Sequence, residues 1–191
     1  MWALVTDGSI TKIINQPKPL VIGNTQYSKN IFSFRWSNEE REAIGLYEVV
    51  FDNTNKKDEA YYTNTNQTFA FADGAVTASY GSATAKALAD VTNEDDSITL
   101  GLKSQHKGKI KQQASSLLAT YDWYVVRKAD AGTAVPSAVT TYRAAVRTKS
   151  GEMETLIDNA ANVDALAALY TYTEQEDGSV TRPLGEFPEA V

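Results

Sequence analysis

Cysteine is absent from this chain of 191 residues, and histidine occurs once, as His106. No disulfide can form, no thiol can act as a nucleophile, and thiolate zinc sites and multi-histidine metal sites are excluded. A disulfide-stapled secreted module is therefore ruled out, whereas a cytosolic or virion protein fits. Basic charge is also short, because 18 Lys and Arg stand against 24 Asp and Glu for a net charge of −6. Affinity for nucleic acid or an anionic membrane rests on Lys and Arg neutralising phosphate, so neither partner is expected. No apolar run approaches the ~20 residues that a membrane-crossing helix needs. Residues Met1 to Gly8 lack the basic start and apolar stretch of a signal peptide, and none is expected there. With 42% apolar residues the chain can still build a core, as one domain or two small ones.

The first eighty residues read mostly as strands. Trp2–Val5 and Ser9–Ile14 flank Asp7-Gly8, a pair that tolerates the positive φ angles of a tight hairpin turn. Leu20–Ile22 and Thr25–Tyr27 flank Gly23-Asn24, while Pro17 and Pro19 lack backbone donors and confine their segment to a loop or sheet edge. Ser37 followed by Glu40 is a capping-box signature for a short helix running to Ile44, stopped at Gly45, with Trp36 placed to staple its start. Strands are expected again at Leu46–Phe51, Tyr61-Tyr62 and Thr68–Phe71, the last turning at Asp73-Gly74 into Ala75–Tyr80. The stretch 81–101 is poor in large apolar residues and acidic at Glu94-Asp95-Asp96, which predicts a linker or a loosely held helix.

From Leu102 the apolar period changes from two to about 3.6. Leu102, His106, Ile110, Ala114, Leu117 and Leu118 share one helical face, with Lys103, Lys107 and Lys111 on another, solvated one. Pro136 opens a second helix with Val139, Tyr142, Val146, Met153, Leu156 and Ile157 as its buried side, and Gly151 is a candidate break. Val163, Leu166 and Leu169 mark a third helix, and Asp177-Gly178 a third hairpin. No period of ~20–50 residues repeats, so solenoids and propellers have no support. The chain is thus read as α+β: a β-rich region over 1–80 with hairpins and one short helix, a linker over 81–101, a helical module over 102–170, and a terminal hairpin and tail over 171–191.

Catalytic signals are weak. His106 is the sole imidazole, but its place on an apolar helix face suits packing better than proton transfer. Glu39, Glu40 and Glu42 belong where a helix N-terminus favours negative charge. Glu152 and Glu154 are too close in sequence to face each other on a helix, and no pair stands out at the ~5–10 Å a glycosidase uses. The run Asn93–Asp96 lacks the ligand spacing of a calcium loop, and Gly101–Lys109 lacks that of a phosphate loop. No cofactor and no metal site are implied. Aromatics remain: Tyr61, Tyr62, Tyr121, Trp123, Tyr124, Tyr170 and Tyr172 suit a core, a protein interface or a sugar platform alike.

One stretch is distinctive. Leu117–Trp123 ends in Asp122-Trp123, and Pro136 leads into Tyr142-Arg143-Ala144-Ala145-Val146-Arg147. This resembles a C-terminal module of tailed-bacteriophage tail-fibre proteins and their assembly chaperones, in which Asp-Trp after one helix pairs with Tyr-Arg and a further Arg on a proline-led helix. The resemblance covers residues 117–147, and Trp36–Gly45 is weakly similar to the N-terminal part of some of those proteins. The apolar run Tyr124–Arg127 departs from their more polar pattern. The resemblance implies a non-enzymatic protein of tail or tail-fibre assembly, in the host cytoplasm or the virion. Its partner would be another phage protein, a tail fibre or tail component, or a further copy of the chain. Binding residues would be Asp122, Trp123, Tyr142, Arg143 and Arg147. An adsorption protein that holds host glycan, and a small hydrolase with paired carboxylates, are the alternatives.

The same residues allow a purely structural expectation. Asp122 would cap the segment starting at Trp123, Arg143 and Arg147 would both reach its carboxylate, and Trp123 would pack on Tyr142.

Overall fold

The computed structural model describes residues 1–191, and these form two compact units, Met1–Thr84 and Ala85–Val191. The α+β reading holds, with strands concentrated in the first half and helices in the second.

In the first unit β1 (Trp2–Thr6) and β2 (Ser9–Ile14) form a hairpin around Asp7-Gly8, whose φ angles are +51° and +76°. β3 (Leu20–Ile22) pairs with β4 (Thr25–Tyr27), and a 3-10 turn follows at Lys29–Phe32. The capping box forms as expected: Glu40 N–H donates to Ser37 Oγ, and Ser37 N–H donates to Glu40 Oε2. It starts α1 (Asn38–Ala43). β5 (Leu46–Asp52) and β6 (Tyr62–Thr63) come next, then the second Asp-Gly hairpin of β7 (Gln67–Ala72) and β8 (Ala75–Tyr80). The main sheet runs in the order β2-β1-β5-β8-β7, antiparallel except at the β5–β8 joint, which is parallel.

Period-two alternation places a core on each face of this sheet. Ala3, Val5, Val49, Val76 and Ala78 are buried together on one face, with Ile10, Ile13, Phe69 and Phe71 against them. Ile10 and Ile13 reach that face despite their odd separation because the register slips between Leu4 and Val5, a bulge that gives β2 an extra residue. The other face buries Ile14 and Leu46 beneath Leu20, Ile31 and Phe32. Arg41 of α1 ties that cover down: its guanidinium donates to Ile31 O at 2.8 Å, Ser33 O at 2.6 Å and Asn38 Oδ1 at 2.8 Å.

The short strand β9 (Thr84–Ala85) straddles the boundary, with Thr84 ending the first unit. The stretch expected to be a linker or loose helix departs from that reading. Val91–Thr92 (β10) and Ile98–Thr99 (β11) form a hairpin, and residues from Ala85 on belong to the second unit. The reason lies at the start of α2 (Leu102–Ala119), where the first N–H groups of a helix lack intrahelical partners. Leu102 N–H donates to Ala87 O, Lys103 N–H to Leu88 O, and Gly101 N–H to Asp90 Oδ1, so the segment before the hairpin caps the helix with its own carbonyls. Gly101 is needed for that approach, since a Cβ there would lie 2.3 Å from the Ala89 carbonyl.

The remaining elements are α3 (Asp122–Ala131), α4 (Ser137–Asn159), α5 (Val163–Ala168) and a terminal hairpin, β12 (Thr173–Glu174) with β13 (Val180–Thr181). α4 passes through Gly151 without a break, because that glycine faces open space while Val146, Met153 and Ile157 on either side are buried. α2 and α4 lie antiparallel, and the lysine stripe of α2 is not simply solvated. Lys103 donates to Asp158 O, Lys107 pairs with Asp158 at 2.7 Å, and Lys111 pairs with Glu154 at 3.4 Å.

The terminal hairpin repeats the earlier one. Glu94, Asp95, Ser97, Thr99 and Leu102 recur at constant spacing as Glu176, Asp177, Ser179, Thr181 and Leu184. The hydrogen bonds recur with them. Asn93 N–H to Ser97 O and Gln175 N–H to Ser179 O are both 2.8 Å, and Ser97 Oγ to Asp95 Oδ1 and Ser179 Oγ to Asp177 Oδ1 are both 2.6 Å. Leu102 N–H to Ala87 O is matched by Leu184 N–H to Leu169 O, and both leucines are buried.

Candidate functional site

The residues singled out around 117–147 meet where α2 ends, α3 begins and α4 passes beneath. Tyr121 and Tyr142 are buried there with Ala114, Val139 and Val146, their rings edge to face with centroids 5.2 Å apart. The Tyr142 hydroxyl is buried without a protein hydrogen-bond partner, and its ring is packed within this cluster. Arg143 stands beside it, largely covered. Its Nη1 lies 2.8 Å from Asp122 Oδ1 and donates to Leu118 O at 2.7 Å. One guanidinium thus satisfies a carbonyl left over at the end of α2 and binds the first residue of α3. Negative charge at that first turn also suits the α3 dipole.

The expected clasp therefore forms, but differently in three respects. Asp122 is the first residue of α3 rather than its cap, and Tyr121 stands at the cap position with no side-chain hydrogen bond. Arg147 takes no part in it. That arginine is exposed, and its side chain makes only a long hydrogen bond to Arg143 O at 3.4 Å. Trp123 does not reach Tyr142, and Tyr121 holds that place instead. Neighbouring helical residues point about 100° apart, so a helix that aims Asp122 at α4 turns Trp123 away from it. Trp123 is 51% exposed; its ring stacks on Tyr124, and the Arg127 guanidinium lies 4.8 Å from its centroid.

The consequence is an unusual helix. α3 has no buried residue, and it presents Trp123, Val125 and Val126 to solvent, Val126 at 65% exposure. The sequence reading missed α3, since a helix without a buried stripe leaves no 3.6-residue apolar period to find. Its signals were Asp122 at the start and Gly132 at the end, in the left-handed conformation at φ +69°.

Two open cavities flank the arginines. One, about 470 Å³, lies between α2 and α4 and is lined by Lys111, Leu118, Asp122, Arg143, Arg147 and Glu154, among others. The other, about 340 Å³, lies between α3, the turn after it and the start of α4. Elsewhere His106 is buried against the Tyr170 ring at a centroid distance of 4.7 Å. Burial holds its imidazole below the ordinary basicity, and the Lys109 charge adds to the effect. No group of three or more Asp, Glu or His side chains is placed to hold a metal ion, and no helix is long and apolar enough to cross a membrane. Comparison with protein-family models, with curated proteins and with solved structures returns no match.

Proposed function

We propose that this chain is a non-enzymatic binding protein of tailed bacteriophages that holds a tail or tail-fibre protein. It would act as an assembly chaperone in the host cytoplasm or as a small component of the virion. The observation that carries this reading is α3, a helix fixed by the Asp122–Arg143 pair yet exposing Trp123, Val125 and Val126. Apolar and aromatic side chains grouped on a short exposed helix are the chemistry of a protein interface. The resemblance of residues 117–147 to tail-fibre assembly proteins supplies the kind of partner. Its motif divides in two: Asp122, Tyr142 and Arg143 build the corner, while Trp123 and Arg147 face outward. A sugar platform is less well supported, because Tyr124 and Arg127 already engage the Trp123 ring.

The test is co-expression with the fibre or tail protein of the same phage, joined to mass spectrometry of purified particles. A chaperone raises the soluble yield of its client and is missing from particles; a virion component is present at fixed copy number. A chain that does neither is not a tail-assembly protein. Trp123→Ala with Val126→Ser should weaken whichever effect is seen by about tenfold, as loss of an interface anchor does.

A further inference from the structure

The cavity between α3 and the start of α4 differs from the rest of the helical unit in its charge. Across that unit cations are generally engaged: Lys107 by Asp158, Lys111 by Glu154, Lys149 by Glu152, Arg182 by Glu186, and Arg127 by two aromatic rings. Three cations line this one cavity, Lys128, Arg143 and Arg147, and no carboxylate does. Arg143 is committed to Asp122 and Leu118 O. Lys128 and Arg147 are exposed and have no carboxylate within salt-bridge distance. Two uncompensated positive charges thus share one concavity in a chain whose net charge is −6. The walls between them are apolar, made by Val125, Ala134 and Val135, with Val125 46% exposed.

We propose that this cavity is a docking site for an acidic segment of a partner protein, one with an apolar side chain set between two carboxylates. Arg147 offers a planar fork of donors that matches a carboxylate, and Lys128 offers a point charge to the second. The apolar residue of the segment covers Val125 and Val135. A volume of about 340 Å³ is at the lower end of the ligand-pocket range, which suits a few side chains of a peptide rather than a folded edge. A nucleic acid fits less well, because its binding needs an extended basic track and aromatic faces on which bases stack. The inference names the partner chemistry for the interface proposed above, and it rests on that reading only in taking the occupant to be a protein.

Two peptide probes of about six residues test it on the full chain, one alternating Glu with Leu and the other Lys with Leu, alongside an oligothymidylate of about ten nucleotides. Binding is followed by amide chemical shifts. The acidic peptide should move residues 125–128, 134–135 and 143–147, weaken as salt rises, and lose about tenfold in affinity with Lys128→Glu or Arg147→Glu. Arg147→Lys should retain part of the binding, and unchanged thermal midpoints should show that the exposed substitutions leave the fold intact. Equal responses to both peptides, shifts scattered away from the cavity, insensitivity to both charge reversals, or stronger binding of the oligonucleotide would each overturn the proposal. Peptide binding without any effect on fibre yield or particle content would overturn the phage assignment and leave the site standing.

Discussion

The two hairpins that bracket the helices of the second unit have one geometry and two sequences. Around Asn93–Ser97 and Gln175–Ser179 the turn hydrogen bonds agree within about 0.2 Å, and each hairpin leads to a buried leucine. They differ at the left-handed position of the turn. Gly178 occupies it in the second at φ +78°, whereas Asp96 occupies it in the first at φ +61°. Glycine adopts that conformation freely, while an L residue is strained by its Cβ, an effect softened for Asp by local hydrogen bonding. The lesson is that the turn is specified chiefly by the Asp95 and Asp177 carboxylates, each accepting from the N–H and hydroxyl of the serine two residues on. The glycine is an aid that one copy does without.

Leu102→Ala and Leu184→Ala probe that equivalence most strongly. Each removes a buried side chain and should cost about 3 kcal/mol in the second unit, measured by denaturant unfolding or amide hydrogen exchange. A silent substitution at either position would break the equivalence. Exchanging the turn residues comes next. Asp96→Gly should stabilise by about 0.5–1 kcal/mol and Gly178→Asp should destabilise by a similar amount, because the only large change is the cost of a Cβ at positive φ.

The finest comparison is in acid. The Ser97 side chain and backbone hold Asp95 below its ordinary pKa, and Ser179 does the same for Asp177. A carboxylate with a lowered native pKa contributes stability above its unfolded value, and that contribution disappears as pH falls through the native one. Between about pH 5 and pH 2, Asp95→Asn and Asp177→Asn should therefore flatten the loss of stability, and by equal amounts. Unequal slopes would show that the two turns are not chemically the same. A separate acid-sensitive step belongs to His106, whose lowered pKa means that the unfolded chain takes up its proton first. Stability should fall as pH drops below 6.5, and His106→Gln should remove that step.

These turns also show what can be read from residues alone. Asp7-Gly8, Asp73-Gly74 and Asp177-Gly178 announce hairpins because glycine after aspartate is a local signal that needs no tertiary partner. Asn93–Ser97 looks like an acidic linker because Asp96 stands where glycine would have flagged the turn. α2 is legible through its apolar period, and its lysine stripe is not, since Asp158 and Glu154 come from another helix. At the candidate site Asp122 and Arg143 are correctly paired, as spacing and opposite charge suggest. Trp123 is displaced from that pair by helix phase, which cannot be known without seeing that α3 exists, and Arg147 by its place one turn further along α4 than Arg143, which already holds Asp122. The unpaired charge of Lys128 and Arg147 is a statement about every carboxylate around them, and only the folded chain makes it.

The parallel joint between β5 and β8 has a consequence in time. The β1–β2 and β7–β8 hairpins close around tight turns, events of ~1–10 μs. The pairing of Val49–Asp52 with Val76–Ser79 must wait until the chain between them has folded back, and parallel pairing across such a separation is slow. The main sheet of the first unit is therefore two quick hairpins joined by two late seams, β1–β5 and the parallel β5–β8. Until the parallel seam closes, the pairing of Val49 with Val76 inside the core of that face is not made. A slow seam lengthens the time for which unpaired strand edges and apolar surface stay open to wrong partners.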